Sequence, residues 1–366
     1  MSNQICMRRE CVLACVAALA AASLFTQRSH AAEAADAAPT LGEVIVTAQK
    51  HEERLQDVPI PVTAISGQTL ADNNQVRIQD FYSQVPGLSI APGSFTNPVI
   101  AIRGITTGSS NNAPTVGIMV DGVPYGSSAH LIVPDFDPGD LARVEVLRGP
   151  QGTLYGTSSL GGLINFITQD PSSSGVSGRV EAGGSGVQNG AQLGYSFRGS
   201  VNLPVSEDLA VRMSAFTRLD PGYVDNPAQH IDGINVDRAS GGHIVALWRP
   251  SDVFSLKLSA LYQQTKGDGT GQINVASDGY VGVPLGDLQQ NYIPGVGPYV
   301  QEVQAYSAIV KGKLGSVDLT SVSAYNVSAF SDSQDFTGSF GSFTEFGVPG
   351  TGFNGFGVPG TPLLDS

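Results

Sequence analysis

The sequence predicts a small mixed α/β domain over residues 51–170, followed over 171–366 by antiparallel strands of a transmembrane β-barrel. Three observations predict this. After residue 176, apolar and polar side chains alternate in long runs, as on strands with one apolar and one polar face. The connections between those runs alternate short and long, as periplasmic turns and extracellular loops do in outer-membrane barrels. Beyond the N-terminal segment no stretch is long and apolar enough for a membrane helix, so insertion would have to use strands. Composition agrees: 45 glycines in 366 residues, with only 14% charged residues, suit turn-rich β-structure better than a helical enzyme.

Residues 1–31 read as a secretory signal. Arg8 and Arg9 form its positive start, residues 12–25 an apolar run rich in alanine, and Ser29-His30-Ala31 a small-x-small cleavage site. All three cysteines, Cys6, Cys11 and Cys15, fall inside it. A lipoprotein reading at Cys15 fits poorly, because the apolar run continues past it. The mature chain then holds no cysteine and needs no disulfide in an oxidising compartment. The whole chain has a formal charge of −13, which argues against a nucleic-acid partner and fits an envelope protein.

Residues 32–50 join signal to domain. Residues 32–42, AEAADAAPTLG, are a small-residue linker without fixed structure. EVIVTAQK (43–50) follows, and its Val44, Ile45, Val46 and Thr47 favour an extended conformation. On a flexible leash such a segment can add itself to a partner's sheet edge; the competing reading is a plain first strand of the next domain.

Within 51–170 a strand is expected at 62–65, with Ser66 as a helix cap. Ile78, Phe81, Tyr82 and Val85 recur at helical spacing before Pro86-Gly87. Short strands follow at 88–90, 99–103 and 116–121, then a helical turn at 137–141. Residues 141–170, LARVEVLRGPQGTLYGTSSLGGLINFITQD, place two apolar-alternating strands around a loop of Gly149, Gly152, Gly156, Gly161 and Gly162. A phosphate-cradling loop is excluded, since neither G-x-G-x-x-G nor Gly-Lys-Ser/Thr occurs. By itself the segment is a hairpin-like connection in an ordinary sheet.

The RGPQGTLYG core, preceded in order by VPIPVTAI, VPGL, IRGI and VDGVPY, resembles the plug domain of TonB-dependent outer-membrane receptors. The resemblance is dense over 43–170, with Thr157-Ser158-Ser159-Leu160 standing where Arg-Asn-Ser is commoner. It implies a plug domain of mixed α/β structure followed by an antiparallel transmembrane β-barrel in the outer membrane of a Gram-negative bacterium. It also implies that Glu43, Val44, Ile45, Val46, Thr47 and Ala48 form the TonB box, pairing with the periplasmic domain of TonB. Arg143, Glu145 and Arg148 are then expected to contact the barrel wall. Ligand contacts are expected on plug loops around 92–97, 103–115 and 125–132, which carry Arg103, Asn111, Asn112, Tyr125 and His130; for Arg103, inside IRG, a role in plug structure weighs equally. The implied partners are TonB, a small extracellular ligand such as a ferric chelate, and outer-membrane lipid.

Candidate barrel strands lie near 178–184, 191–203, 208–219, 236–249, 252–265, 301–314 and 316–330. Leu209, Val211, Met213, Ala215 and Leu219 share one face, and Arg212, Ser214 and Arg218 the other. Phe254, Leu256, Leu258, Ala260 and Tyr262 repeat this against Ser255, Lys257, Ser259 and Gln263; the last two strands alternate less cleanly. The connections at 204–207, 249–251 and 314–315 are tight, while 220–235 and 266–300 are long. The chain then runs into a Gly/Pro-rich stretch with FGVPGT at 346–351 and 356–361. A family barrel around such a plug has about 22 strands, so the expected barrel is incomplete and the chain reads as a receptor cut off in an early extracellular loop, inactive alone.

Catalytic and metal motifs are absent: no HExxH, paired CxxC, EF-hand loop or G-x-S-x-G elbow occurs. His30, His51, His130, His230 and His243 are scattered and read as solvated or structural. Asp268 and Asp278 sit in a Gly-rich loop that ordinary turn chemistry explains. The expected function is energised uptake of a scarce ligand, without catalysis, cofactor or metal. The alternatives are a periplasmic plug-like binding or signalling module and a secreted β-rich adhesin.

Overall fold

The computed structural model describes residues 44–335 apart from 49, 52, 92–98, 108–113, 126–132, 134–135, 157, 228, 272, 274–287 and 291–294, and beyond these only Leu364–Asp365. Glu43, Asn111, Asn112, His130, Asp278 and the FGVPGT repeats therefore lie outside the described residues. No helix among the described residues is long and apolar enough to cross a membrane, which bears only on helical crossing.

The first compact element is a ribbon of β1 (Ile45–Val46) and β2 (Glu53–Arg54), paired antiparallel. β3 (Val62–Ser66) follows, and its last residue caps α1 (Gly67–Asp72), with Ser66 Oγ accepting from the Thr69 amide at 3.0 Å. The apolar spacing at Ile78, Phe81 and Val85 yields α2 (Ile78–Phe81) and a 3₁₀ turn, with all three side chains buried. A separate ribbon pairs β4 (Leu88–Ala91) with β5 (Val99–Ile102). After β6 (Val116–Val120) and β7 (Val123–Pro124), a 3₁₀ turn at Pro138–Asp140 leads into β8 (Leu141–Arg148). A helical turn, α3 (Gly152–Tyr155), and β9 (Gly162–Thr168) complete the domain.

The expected hairpin of β8 and β9 forms the centre of a five-stranded sheet of order β3-β8-β9-β6-β7, in which β6 and β9 run parallel. β9 is buried almost throughout, which suits its near-continuous apolar run, and β8 is buried at Leu141 and over residues 144–147. Gly162 shows why the loop needs glycine. Its φ is 145°, and a Cβ there would stand 2.2 Å from the Leu147 carbonyl oxygen.

The wall is one antiparallel sheet of seven strands in chain order: β10 (Ser177–Ser185), β11 (Gly194–Pro204), β12 (Leu209–Asp220), β13 (Asp237–Ser251), β14 (Phe254–Gly267), β15 (Tyr299–Leu314) and β16 (Val317–Asp332). Every expected strand is present, and several run further than period-two alternation reached. The extensions at the long-loop ends carry residues such as Gly267 and Tyr299, which backbone pairing rather than apolar patterning holds in the sheet. Among the described residues the sheet does not close, since β10 and β16 each have one neighbour.

The alternation sorts as expected, with one correction. Met213, Leu258 and Tyr262 face outward and exposed, while Arg212, Ser259 and Gln263 face the plug. The inner face is not polar throughout, because Leu261, Val303 and Ala305 join the plug core around Ile65, Val144 and Phe166. β16 is exposed along most of its length, which accounts for its weak alternation; its Asn326 side chain donates to the Pro124 carbonyl at 2.7 Å.

Candidate functional site

The expected partner-binding segment is docked. β1 pairs Ile45 with Arg54 and Val46 with Glu53, and Val46 and Ala48 are fully buried beside Met119, Leu147 and Leu163. Two side chains from the RGPQGTLYG region hold its backbone. Glu145, itself fully buried, accepts from the Thr47 amide at 2.8 Å and from the Thr47 hydroxyl at 3.1 Å. The Tyr155 hydroxyl is shared between the Thr47 and Ala48 carbonyls, each at 3.1 Å. Burial, and secondarily the Glu145 carboxylate, push the Tyr155 phenol up to about 12, so it remains a hydrogen-bond donor at any physiological pH. The linker of the sequence reading, residues 32–42, lies outside the described residues; from Val44 onward the extended segment takes the edge and acceptors nearest to it, and here those belong to its own domain.

Arg143, Glu145 and Arg148 follow the same pattern. Arg143 Nε donates to Glu145 Oε1 at 2.6 Å, and Arg148 Nη1 donates to the Pro86 carbonyl at 3.2 Å. All three find partners inside the plug, at the clasp and the β4 entry, and no hydrogen bond or ion pair joins them to the seven described wall strands.

The charged contact with the wall is made elsewhere, mostly with carboxylates on the plug. In the 3₁₀ turn, Asp137 meets Arg198 of β11 at 3.3 Å, and Asp140 meets Arg212 of β12 at 3.2 Å. His243 of β13 reaches Asp140 Oδ2 through Nδ1 at 2.6 Å, while its Nε2 lies 2.8 Å from Ser259 Oγ of β14. Three wall strands thereby grip one turn, and β14 supports the third through Ser259. The Asp140–His243–Ser259 row has the order of a hydrolytic triad, but Asp140 is also bonded to Arg212, and none of the clefts described below is lined by Ser259. It acts as a tether. Burial raises the Asp137 carboxyl despite Arg198 and the Gly139 amide. A second seam joins Lys257 of β14 to Asp121 at 3.0 Å and Asp170 at 2.7 Å. Burial opposes ionisation of Asp121, but the Lys257 ammonium and the Thr168 hydrogen bonds outweigh it and hold the carboxyl below its ordinary value. Arg77 of the plug reverses the polarity, meeting the wall carboxylates Asp220 at 3.4 Å and Asp237 at 3.6 Å.

Of the expected ligand residues, Arg103 is exposed, with φ 53° in a turn whose amide donates to the Gly87 carbonyl at 2.7 Å. Tyr125 is corrected. It is 7% exposed in the plug core, 6.5 Å from the Phe136 ring, and presents no surface to a ligand. Its apolar ring fills the space between β6 and the Phe136 segment.

Two larger clefts border plug and wall. One, of about 640 Å³, is polar and lies between residues 74–80 and β10–β12. The other, of about 270 Å³, is lined by Thr47, Lys50 and Tyr155 together with Arg249, Lys257 and Lys311. These wall residues stand next to the tight connections after β13 and β15, so the docked segment lies at the short-turn end. A smaller cleft touches Asp137 and Arg198.

Residues 54–163 match the family model of the TonB-dependent receptor plug domain. The chain is 32% identical over 214 residues to the pesticin receptor of Yersinia pestis, covering 57% of this chain and 30% of that protein. It is 36% identical over 162 residues to the vitamin B12 transporter BtuB of Vibrio vulnificus (strain CMCP6), covering 43% of this chain and 25% of that one. The crystal structure of the ferric yersiniabactin uptake receptor FyuA from Yersinia pestis matches with a TM-score of 0.60 at 24% identity, over 75% of this chain and 42% of that chain, a likeness of fold. The chain spans under a third of the length of these two curated relatives.

Proposed function

We propose that this chain, whose residues 54–163 match the TonB-dependent receptor plug domain, serves energised uptake of a scarce external small ligand across the outer membrane of a Gram-negative bacterium. The cargo class we favour is an iron chelate. Relatives named as a hemin receptor of Yersinia pestis and an iron-regulated outer membrane virulence protein of Vibrio cholerae support it. No bond is broken in this reading; binding and plug rearrangement do the work.

The observation that carries it is the docked segment. Within residues 44–48, Ile45–Val46 form a strand, and the segment lies at the short-turn end, held at Thr47 and Ala48 by side-chain hydrogen bonds to backbone atoms that a partner strand would use. The box of residues 43–48 leaves Glu145 and Tyr155 and adds itself to the periplasmic domain of TonB, which then pulls on the plug. The test is capture of the chain by that domain. Ile45→Pro removes an amide donor and fixes φ, and capture should fall at least tenfold; undiminished capture would refute the role.

A further inference from the structure

We infer that the cleft of about 270 Å³ at the short-turn end is an exit-side holding site for the anionic, aromatic arm of a cargo molecule, an inference that rests on the uptake reading above. The chain carries a net charge of −13, which disfavours anions near it on average. This cleft departs from that. Lys50, Arg143, Arg249, Lys257 and Lys311 converge on it against the carboxylates Asp121 and Asp170. Both carboxylates are already engaged. Lys257 bridges them at 3.0 and 2.7 Å and also reaches the Thr168 hydroxyl at 3.1 Å, while Arg249 adds a contact to Asp170 at 3.4 Å. Arg143 is engaged by Glu145. Lys50 and Lys311 remain, and no carboxylate among the described residues pairs with either. Lys50 instead sits 5.2 Å above the centre of the Tyr155 ring.

The lining also has an apolar part, Ile167, Leu247, Ile309, Val322 and the Tyr155 ring, among neutral polar side chains such as Asn165 and Ser255. The volume equals that of about nine liquid waters, room for one aromatic ring bearing an acid group and too little for a whole metal chelate. An acid group between Lys50 and Lys311, with its ring on the apolar floor, satisfies both halves of the lining. A neutral or cationic arm satisfies only one. Cargo moving between plug and wall reaches the periplasm at the end where this cleft opens.

The test is calorimetric titration of the full chain in detergent micelles with salicylate, using 2-hydroxybenzyl alcohol as the neutral counterpart and empty micelles as blank. Saturable one-to-one binding of salicylate is expected, at least tenfold tighter than the alcohol. Lys50→Gln with Lys311→Gln, both at exposed positions, should lose about tenfold for salicylate and leave the alcohol unchanged. Equal binding of acid and alcohol, or salicylate binding unaltered by the double substitution, would overturn the site. Capture by the periplasmic domain of TonB, run in parallel, separates the two claims. Ile45-dependent capture without salicylate preference removes the cleft proposal alone, whereas loss of both removes the uptake reading as well.

Discussion

Replacing Tyr155 by Phe isolates the clasp, because the ring that covers Val46 and Ala48 stays and only the hydroxyl leaves. That hydroxyl donates to two carbonyls of the docked segment, each at 3.1 Å, in a buried setting. A net hydrogen bond contributes about 1 kcal/mol, and unsatisfied buried carbonyls add to the loss. Docking should weaken by about 1–2 kcal/mol, a factor of about 5–30 in the docked-to-free ratio. If the partner binds only the freed segment, its apparent affinity rises by the same factor while the docked form dominates. Titration of purified variant and wild type against the periplasmic domain of TonB reads this directly. An unchanged or weaker affinity in Tyr155→Phe, with the fold intact by circular dichroism, would refute the reasoning.

Other substitutions probe the plug and its tether. Asp140→Ala leaves Arg212 and His243 buried without their shared carboxylate and should cost about 3–5 kcal/mol, seen as a lowered urea midpoint for protection of the plug from protease. Gly162→Ala forces a strained φ and a 2.2 Å approach to Leu147 O, and should cost about 2 kcal/mol or more on the same assay. Gly152→Ala meets nothing within 4 Å in a helical turn and should be neutral or stabilise by up to about 1 kcal/mol. Asp121 is held below its ordinary carboxylate value, so its stabilising share is present above about pH 4 and is lost as pH falls through the folded value. Asp121→Asn should therefore flatten the acid limb of the stability curve measured by urea titration. Asp137, with its pKa raised, acts in the opposite sense and remains in that variant.

Much of this fold is legible because strand physics is local. Period-two alternation locates β12 and β14, the Ser66 cap marks α1, and Gly161-Gly162, just past the RGPQGTLYG core, mark where backbone approaches backbone. The site is less legible because its bonds are not local. Thr47 and Glu145 are 98 residues apart, and the β-propensity of Val44–Thr47 is the same whether the segment pairs with its own domain or with another protein. The wall tether hides for the same reason: Asp140 and His243 meet across 103 residues, and neither lies in a pattern that names the other. Tyr125 misleads because an aromatic residue among turn-formers reads as a loop contact, whereas its ring completes the core. The TLYG tyrosine had a usable signal, a polar-tipped aromatic in a glycine-rich loop, but nothing in the sequence said which carbonyls it would meet.

The central claim is that residues 44–48 are stored on the plug by Glu145 and Tyr155. A cysteine at position 46, where Val46 is fully buried, tests it, in a background with Cys6, Cys11 and Cys15 replaced by serine. The rate of labelling by a water-soluble maleimide is the measurement. The account predicts slow labelling in the otherwise native chain, rising about tenfold when Tyr155→Phe is added. Fast labelling at the same rate in both would contradict it.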